Sequence, residues 1–291
     1  MNIPKPLLEK MNAANAKAAE FARSCTVSFM LDDGERAWLV GSGILFEVAT
    51  KAFILTASHV FQKQLSYMYR HHTVFLSVGK PGVQPIKLDQ VVGFFSASEG
   101  NTAPTKSMDI AFMDLSEKTA DALRAHMRFL HLSDVDISPK DKPRAIYLTY
   151  GYPNSLVDEA TAKSGSVRYA PLHLVSDAYR GDRGEVPGHK PDEEIVVNYD
   201  PKTSENHLGD SVELPDPRGA SGCGMWRMAY GIADFEKWDT AMMKLVAIEH
   251  IRNDKVHVLR GGRISYLVAE LAARHPDLVA AIQLNFPGWK P

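Results

Sequence analysis

From Cys25 onward the sequence breaks into short apolar segments separated by turn residues, and this spacing limits the fold more than any other feature. Cys25 to Leu31 alternates and ends at Asp32-Asp33-Gly34, a turn signal. Ala37 to Val40, Ile44 to Val48, Phe53 to Thr56, Thr73 to Val78, Val91 to Phe95 and Met108 to Leu115 follow as further strands. Short strands this close together point to a β-barrel or β-sandwich. Beyond Ser138-Pro139-Lys140-Asp141-Lys142-Pro143, the best linker candidate, strands resume at Ala145 to Tyr150, Glu194 to Tyr199, Lys244 to Ile251 and Val256 to Leu259. Ser166 to Tyr169 and Leu172 to Val175 are expected to pair. Ala178 to Glu193 and Pro201 to Pro217 read as long polar loops. With 291 residues, one large β domain or two packed half-domains both fit.

Helical spacing marks both ends. Leu7, Met11, Ala14, Ala18 and Phe21 form an apolar line within Pro4 to Arg23, as on a helix laid against a domain. Ile264, Leu267, Val268 and Leu271 do the same within Ile264 to Arg274. A third helix is expected after Ser116, its N-cap, with Leu123, Met127 and Leu130 as its apolar line.

The balance of 45% apolar and 23% charged residues suits a soluble globular chain. A net charge of −2 gives no general reason to expect nucleic acid or an acidic membrane as a partner. The two cysteines, Cys25 and Cys223, cannot build a disulfide framework and suit a reducing compartment. Met1 to Lys10 lacks the basic start and apolar core of a secretory signal, and no apolar run is long enough to span a bilayer. The expected location is cytoplasmic.

The chemistry concentrates in Arg218-Gly219-Ala220-Ser221-Gly222-Cys223-Gly224. A serine between glycines sits where the backbone can turn sharply and approach a ligand. Successive amides in such a turn can form an anion-binding nest. Acyl transfer needs that combination: a nucleophilic oxygen beside donors for the oxyanion formed on attack. Serine-containing glycine turns are common, so this stretch alone decides nothing.

Two earlier stretches add to it. Gly41-Ser42-Gly43-Ile44-Leu45-Phe46 with Leu55-Thr56-Ala57-Ser58-His59-Val60 resembles the histidine signature of trypsin-like (chymotrypsin-fold) serine proteases. Asp109-Ile110-Ala111 resembles that family's aspartate strand, and Arg218 to Gly222 its nucleophile turn. Gly151-Tyr152-Pro153 resembles a motif of bacterial members. The order His, Asp, Ser is the chymotrypsin order, and the resemblance covers about residues 25 to 275.

The resemblance implies an all-β fold of two packed antiparallel six-stranded β-barrels, with N-terminal and C-terminal helices. Its parts would be a helix over 1–24, a first barrel over 25–137, a second over 138–262 and a helical tail over 263–291. It also implies a serine endopeptidase. His59 would be the base and then the acid, Asp109 its orienting carboxylate and Ser221 the nucleophile. The amides of Gly219 and Ser221 would form the oxyanion hole. Neutral imidazole, with a reference pKa of about 6.5, is suited to take the serine proton near neutral pH.

Asp114, on the same strand as Asp109, is its rival. Asp216 and His250 are the candidate substrate-binding residues, although a satisfied structural histidine is the plainer reading of His250. Cys223 reads as a packed thiol. His71-His72, His126 and His131 lack zinc-site spacing, so no metal and no cofactor is assigned. The position before the serine is Ala220, where zymogen-type relatives carry an aspartate. The expected partner is a protein or peptide substrate, with no nucleic acid and no membrane, and with room for a regulatory protein. An inert peptide-binding module and an esterase are the alternatives.

Overall fold

The computed structural model describes residues 3–68, 72–80, 82–89, 91–96, 108–138, 144–158, 167–181, 183–202, 204–205 and 211–290. Residues 139–143 of the expected linker, His71, and Ser166 at the start of one expected strand lie outside them.

Two antiparallel sheets carry the molecule. The first has seven strands in the order β5-β4-β1-β2-β3-β7-β6. They are β1 (Thr26–Asp32), β2 (Ala37–Val48), β3 (Lys51–Thr56), β4 (Thr73–Ser77), β5 (Ile86–Lys87), β6 (Val91–Ser96) and β7 (Ala111–Leu115). Six strands were expected here; the seventh, β5, is a two-residue edge strand on β4. The second sheet has six strands in the order β11-β8-β15-β16-β17-β12. These are β8 (Ile146–Gly151), β11 (Leu172–Asp177), β12 (Glu194–Asn198), β15 (Gly224–Ala229), β16 (Lys244–Asn253) and β17 (Val258–Arg263). Among the described residues two small ribbons complete the strands: β9 (Val157–Asp158) with β10 (Arg168–Tyr169), and β13 (Ser204–Glu205) with β14 (Ser211–Val212). The curled sheets form the two half-barrels of a chymotrypsin-like double-barrel fold.

Alternation along the strands explains why the sheets pack together. On β2, Ile44 and Phe46 join a core shared by both sheets, while Leu45 between them joins a core within the first sheet. On β15, Trp226 and Met228 join the shared core and Met225 a core within the second sheet. Each fully buried side chain of this size is worth about 1.5–3 kcal/mol. Both faces of these strands are therefore buried, which is why they read as continuous apolar runs.

Helix α1 (Lys5–Cys25) buries Ala14, Ala18, Ala22 and Cys25. Its deepest stripe is thus smaller than the expected line and continues to Cys25. Phe21 stands edge-on to Trp226 at 5.6 Å, which ties this helix to the second sheet. Helix α3 (Glu117–Arg124) starts at Ser116, whose side chain accepts from the Thr119 amide at 3.3 Å. It ends earlier than expected, and Met127 and Leu130 are buried beyond its last turn. The closing helix runs over Ile264–Arg274 with Ile264, Leu267, Val268 and Leu271 buried. Among the described residues, no helix is long and apolar enough to cross a membrane.

Two expected strand details differ. Ala37–Val40 and Ile44–Val48 are one strand, because Gly41 and Gly43 continue it instead of breaking it. A Cβ on Gly41 would lie 2.5 Å from Val60, and one on Gly43 2.5 Å from Ile54, so both glycines serve close packing. Tyr169 pairs with Val157, and Leu172 with Gly151; the two segments do not pair with each other.

Candidate functional site

Strand register brings His59 and Asp109 together. Thr56 at the end of β3 pairs with Ala111 at the start of antiparallel β7. The chain leaving β3 and the chain entering β7 therefore emerge at the same end of the sheet. Helix α2 (Ser58–Met68) begins at once, and the Ser58 hydroxyl donates to the Ile110 carbonyl at 2.5 Å. Asp109 holds His59 twice. Oδ1 accepts from the His59 amide at 2.8 Å, and Oδ2 lies 2.5 Å from Nδ1. Burial opposes ionisation of Asp109, but the His59 hydrogen bonds and charge outweigh it, so its carboxyl is held below its usual pKa. Asp114 is directed elsewhere, with Oδ2 3.2 Å from Nε2 of His275.

The serine turn enters from the second sheet. Gly222 donates to the Glu249 carbonyl at 2.8 Å, and Glu249 donates back to Cys223 at 2.8 Å. Ala220 donates to Pro217 at 2.8 Å and Cys223 to Ala220 at 3.0 Å. Gly219 and Ser221 are the exceptions in this turn: neither amide has an acceptor among the described residues. Gly219 has φ +93°, and a Cβ there would lie 2.4 Å from Asn154 Oδ1. Gly222 has φ +90°, and a Cβ there would lie 2.1 Å from Ser42 O and 2.2 Å from Thr56 Oγ1. Only a glycine lets this turn dock against the end of β3, three residues before His59.

Ser42 joins the two sheets at this point. Its amide donates to Ser221 O at 2.8 Å, its hydroxyl accepts from the Tyr152 amide at 3.0 Å, and its carbonyl accepts from the Thr56 hydroxyl at 2.7 Å. The histidine and serine segments are thereby held by backbone contacts from both sheets. Ser221 Oγ itself makes no hydrogen bond among the described residues. Such bonds are often long without substrate and tighten when it binds.

A cavity of about 580 Å³ opens beside Ser221, with Glu249, His250, Asp216, Arg218 and Arg252 among its walls. The two expected substrate-binding residues are both engaged within the protein. Asp216 accepts from Arg218 Nε at 2.6 Å and from Arg252 at 3.2 Å. His250 Nε2 lies 3.2 Å from Oε1 of Glu194. Glu194 is buried among Arg260, His189 and the Lys190 amide as well, with Arg260 at 2.7 Å and His189 at 3.0 Å. Burial opposes ionisation, but the close His250 ring and the hydrogen bonds of Arg260 outweigh it and bring the Glu194 carboxyl down to about 2.

Sequence reasoning did not single out Glu249. This residue is 3% exposed, and its buried Oε2 has no hydrogen-bond partner among the described residues. Burial, reinforced by the charge of Asp109, pushes its carboxyl up to about 8. The one available signal was a lone acid ending the apolar run Leu245-Val246-Ala247-Ile248. Cys25 and Cys223 are buried free thiols, and burial raises the pKa of both. Among the described residues, no cluster of three or more His, Cys, Asp or Glu side chains could hold a metal ion.

No protein-family model matches this chain, and no curated protein matches its sequence. Solved structures do match its fold. Deg5 aligns with a TM-score of 0.51 at 12% identity, covering 94% of this chain and 99% of its own. A Glu endopeptidase aligns with a TM-score of 0.46 at 12% identity, covering 87% and 90%. Both are chymotrypsin-fold serine proteases.

Proposed function

We propose that this double-barrel chain is a serine endopeptidase whose nucleophile is Ser221, with His59 as general base and acid and Asp109 as its orienting carboxylate. The observation that carries the reading is the double hold of Asp109 on His59, at 2.8 Å through the backbone and 2.5 Å through the ring. With Nδ1 facing a carboxylate, the ring carries its proton there and leaves Nε2 as the free base.

Ser221 Oγ attacks the substrate carbonyl while His59 Nε2 takes its proton. The carbonyl oxygen becomes an oxyanion, and the free amides of Gly219 and Ser221 are the donors suited to it. Collapse breaks the C–N bond, and His59 returns the proton to the departing amine. Water, deprotonated by the same ring, then cleaves the acyl-enzyme and restores Ser221. The imidazolium formed in each step is stabilised by Asp109, which stays ionised.

The test is a peptide library incubated with the pure protein, its products identified by mass spectrometry. Cleavage at defined bonds that disappears in Ser221→Ala supports an endopeptidase. Turnover of activated esters without any peptide cleavage would replace it with an esterase, and no turnover of either would leave a peptide-binding module.

A further inference from the structure

The serine turn has a support besides Ser42 and the Glu249 backbone. The chain leaving β8 passes beside it as a short helical turn, Asn154–Leu156, that starts at Pro153. Two hydrogen bonds fasten the segments together. The Asn154 amide donates to the Arg218 carbonyl at 2.8 Å, and the Ser155 hydroxyl donates to the Asp216 carbonyl at 2.6 Å. Between those two points the Arg218 amide donates to Oδ1 of Asp216 at 3.0 Å. The support is itself fixed to the first sheet, because the Tyr152 amide donates to the Ser42 hydroxyl at 3.0 Å. Asn154 and Ser155 are exposed, and water satisfies an exposed amide equally well, so burial does not demand these contacts.

The Arg218 carbonyl and the Gly219 amide belong to one peptide unit. In a trans peptide the C=O and the N–H point in opposite directions. Holding the carbonyl on Asn154 therefore turns the Gly219 N–H to the other side, where it has no acceptor among the described residues. Gly219 has φ +93°, and a glycine accepts either sign of φ, so this residue alone does not fix the peptide plane. A flipped peptide would set the Gly219 N–H against the Asn154 N–H, donor to donor. It would also turn a carbonyl oxygen toward the place where the oxyanion must form.

We propose that Asn154 is a positioning residue for the reaction: its backbone N–H holds the Arg218 carbonyl and so keeps the Gly219 N–H aimed at the oxyanion. Ser155 secures the same turn at Asp216. This rests on the reading of Ser221 as nucleophile and Gly219 as an oxyanion donor. The aimed N–H matters most when charge has developed on the carbonyl oxygen, so the effect belongs to the transition state. Losing the Asn154 N–H should lower kcat and leave KM nearly alone.

The experiment compares two variants by steady-state kinetics. Asn154→Pro removes the N–H. Asn154 is the first residue of its turn, where proline fits, and Pro153 has φ −76° and ψ 149°, the extended conformation that a following proline favours. Its kcat is expected to fall by about 10²-fold or more, as for loss of one oxyanion donor, with KM within about 3-fold of wild type. A peptide aldehyde, which forms an oxyanion on Ser221, should bind it more weakly by a similar factor. Asn154→Ala keeps the N–H and should recover most of the loss. A second measurement needs no variant: in wild type the Asn154 amide should be protected from hydrogen exchange despite the exposure of the residue. An unchanged kcat in Asn154→Pro, an equal loss in Asn154→Ala, or an unprotected Asn154 amide overturns the proposal. Where wild-type Ser221 takes a fluorophosphonate label, those results overturn this inference alone. Absence of that label overturns the nucleophile reading and this inference with it.

Discussion

Asp109 from the first sheet and Glu249 from the second are close enough for the charge of one to oppose that of the other, yet their surroundings are opposite. Asp109 has two hydrogen bonds from one histidine and is ionised below its ordinary pKa. Glu249 has no hydrogen-bond partner for its buried Oε2 among the described residues and is pushed up to about 8. Glu194, on the same sheet as Glu249, is as deeply buried and sits near 2. Burial raises the pKa of both glutamates; at Glu194 the partners outweigh it, and at Glu249 nothing among the described residues does. Arg260 and two histidines surround Glu194, whereas Glu249 has no such ion pair among the described residues.

The largest effect should come from breaking the partnered side. Asp109→Asn should lower turnover by about 10³- to 10⁴-fold, because the amide no longer fixes the working tautomer of His59. Steady-state kinetics on the folded variant checks this. Effects of His59→Ala and Ser221→Ala should not add to it, since the three act as a unit.

Arg260→Met leaves Glu194 buried with fewer partners and should destabilise the protein by about 3–5 kcal/mol, read by denaturant unfolding. The pH sign follows from the lowered pKa. The Glu194 contribution is fully present above its ordinary 4.5 and is lost as pH falls from there through about 2. Unfolding curves of wild type and Glu194→Gln should therefore converge in acid.

Glu249 has the opposite sign. Between its ordinary 4.5 and about 8, the folded protein keeps a proton that the unfolded chain has released, so folding stability falls as pH rises. The slope from this group is at most about 1.4 kcal/mol per pH unit. Glu249→Gln should remove that slope and be more stable than wild type at pH 8 and above. A variant less stable than wild type there would show that the carboxylate has a partner.

The smallest effect is expected of Asp114→Asn. Its contact is with His275, away from His59. Turnover should change by less than about 2-fold and stability by about 1 kcal/mol or less. A collapse of activity would transfer the orienting role from Asp109 to Asp114.

Much of this was legible in the sequence where the signal is local. Leu55-Thr56-Ala57-Ser58-His59, Asp109-Ile110-Ala111 and Gly219-Ala220-Ser221-Gly222 each carry their geometry in adjacent residues, and the two sheets bring those segments together. α1 and the closing helix were marked by periodicity and the start of α3 by its Ser116 cap, while α3 stops at Arg124, short of the expected Met127 and Leu130. What could not be read depends on distant partners. Gly41 and Gly43 look like breaks until Val60 and Ile54 are seen pressing on them. Tyr169 pairs with Val157 and not with nearby Leu172 because register is decided across the sheet. His250 looks free until Glu194 is seen beside it, and Glu249 looks like any strand glutamate until its missing partner is noticed.

The central claim is that Ser221 is activated by His59 and Asp109 in a turn held by the protein's own backbone. Ala220 cannot accept an ion pair from a newly cut N-terminus, and the turn is held instead by Ser42, Glu249 and internal amide bonds. The most direct measurement is fluorophosphonate labelling of the intact 291-residue chain, with its N-terminus verified by mass spectrometry and the modified residue mapped. The account predicts a single label on Ser221, formed without proteolytic trimming and slowed severely in His59→Ala. A label on another residue, or one that appears on Ser221 only after the N-terminal segment is clipped, would contradict it.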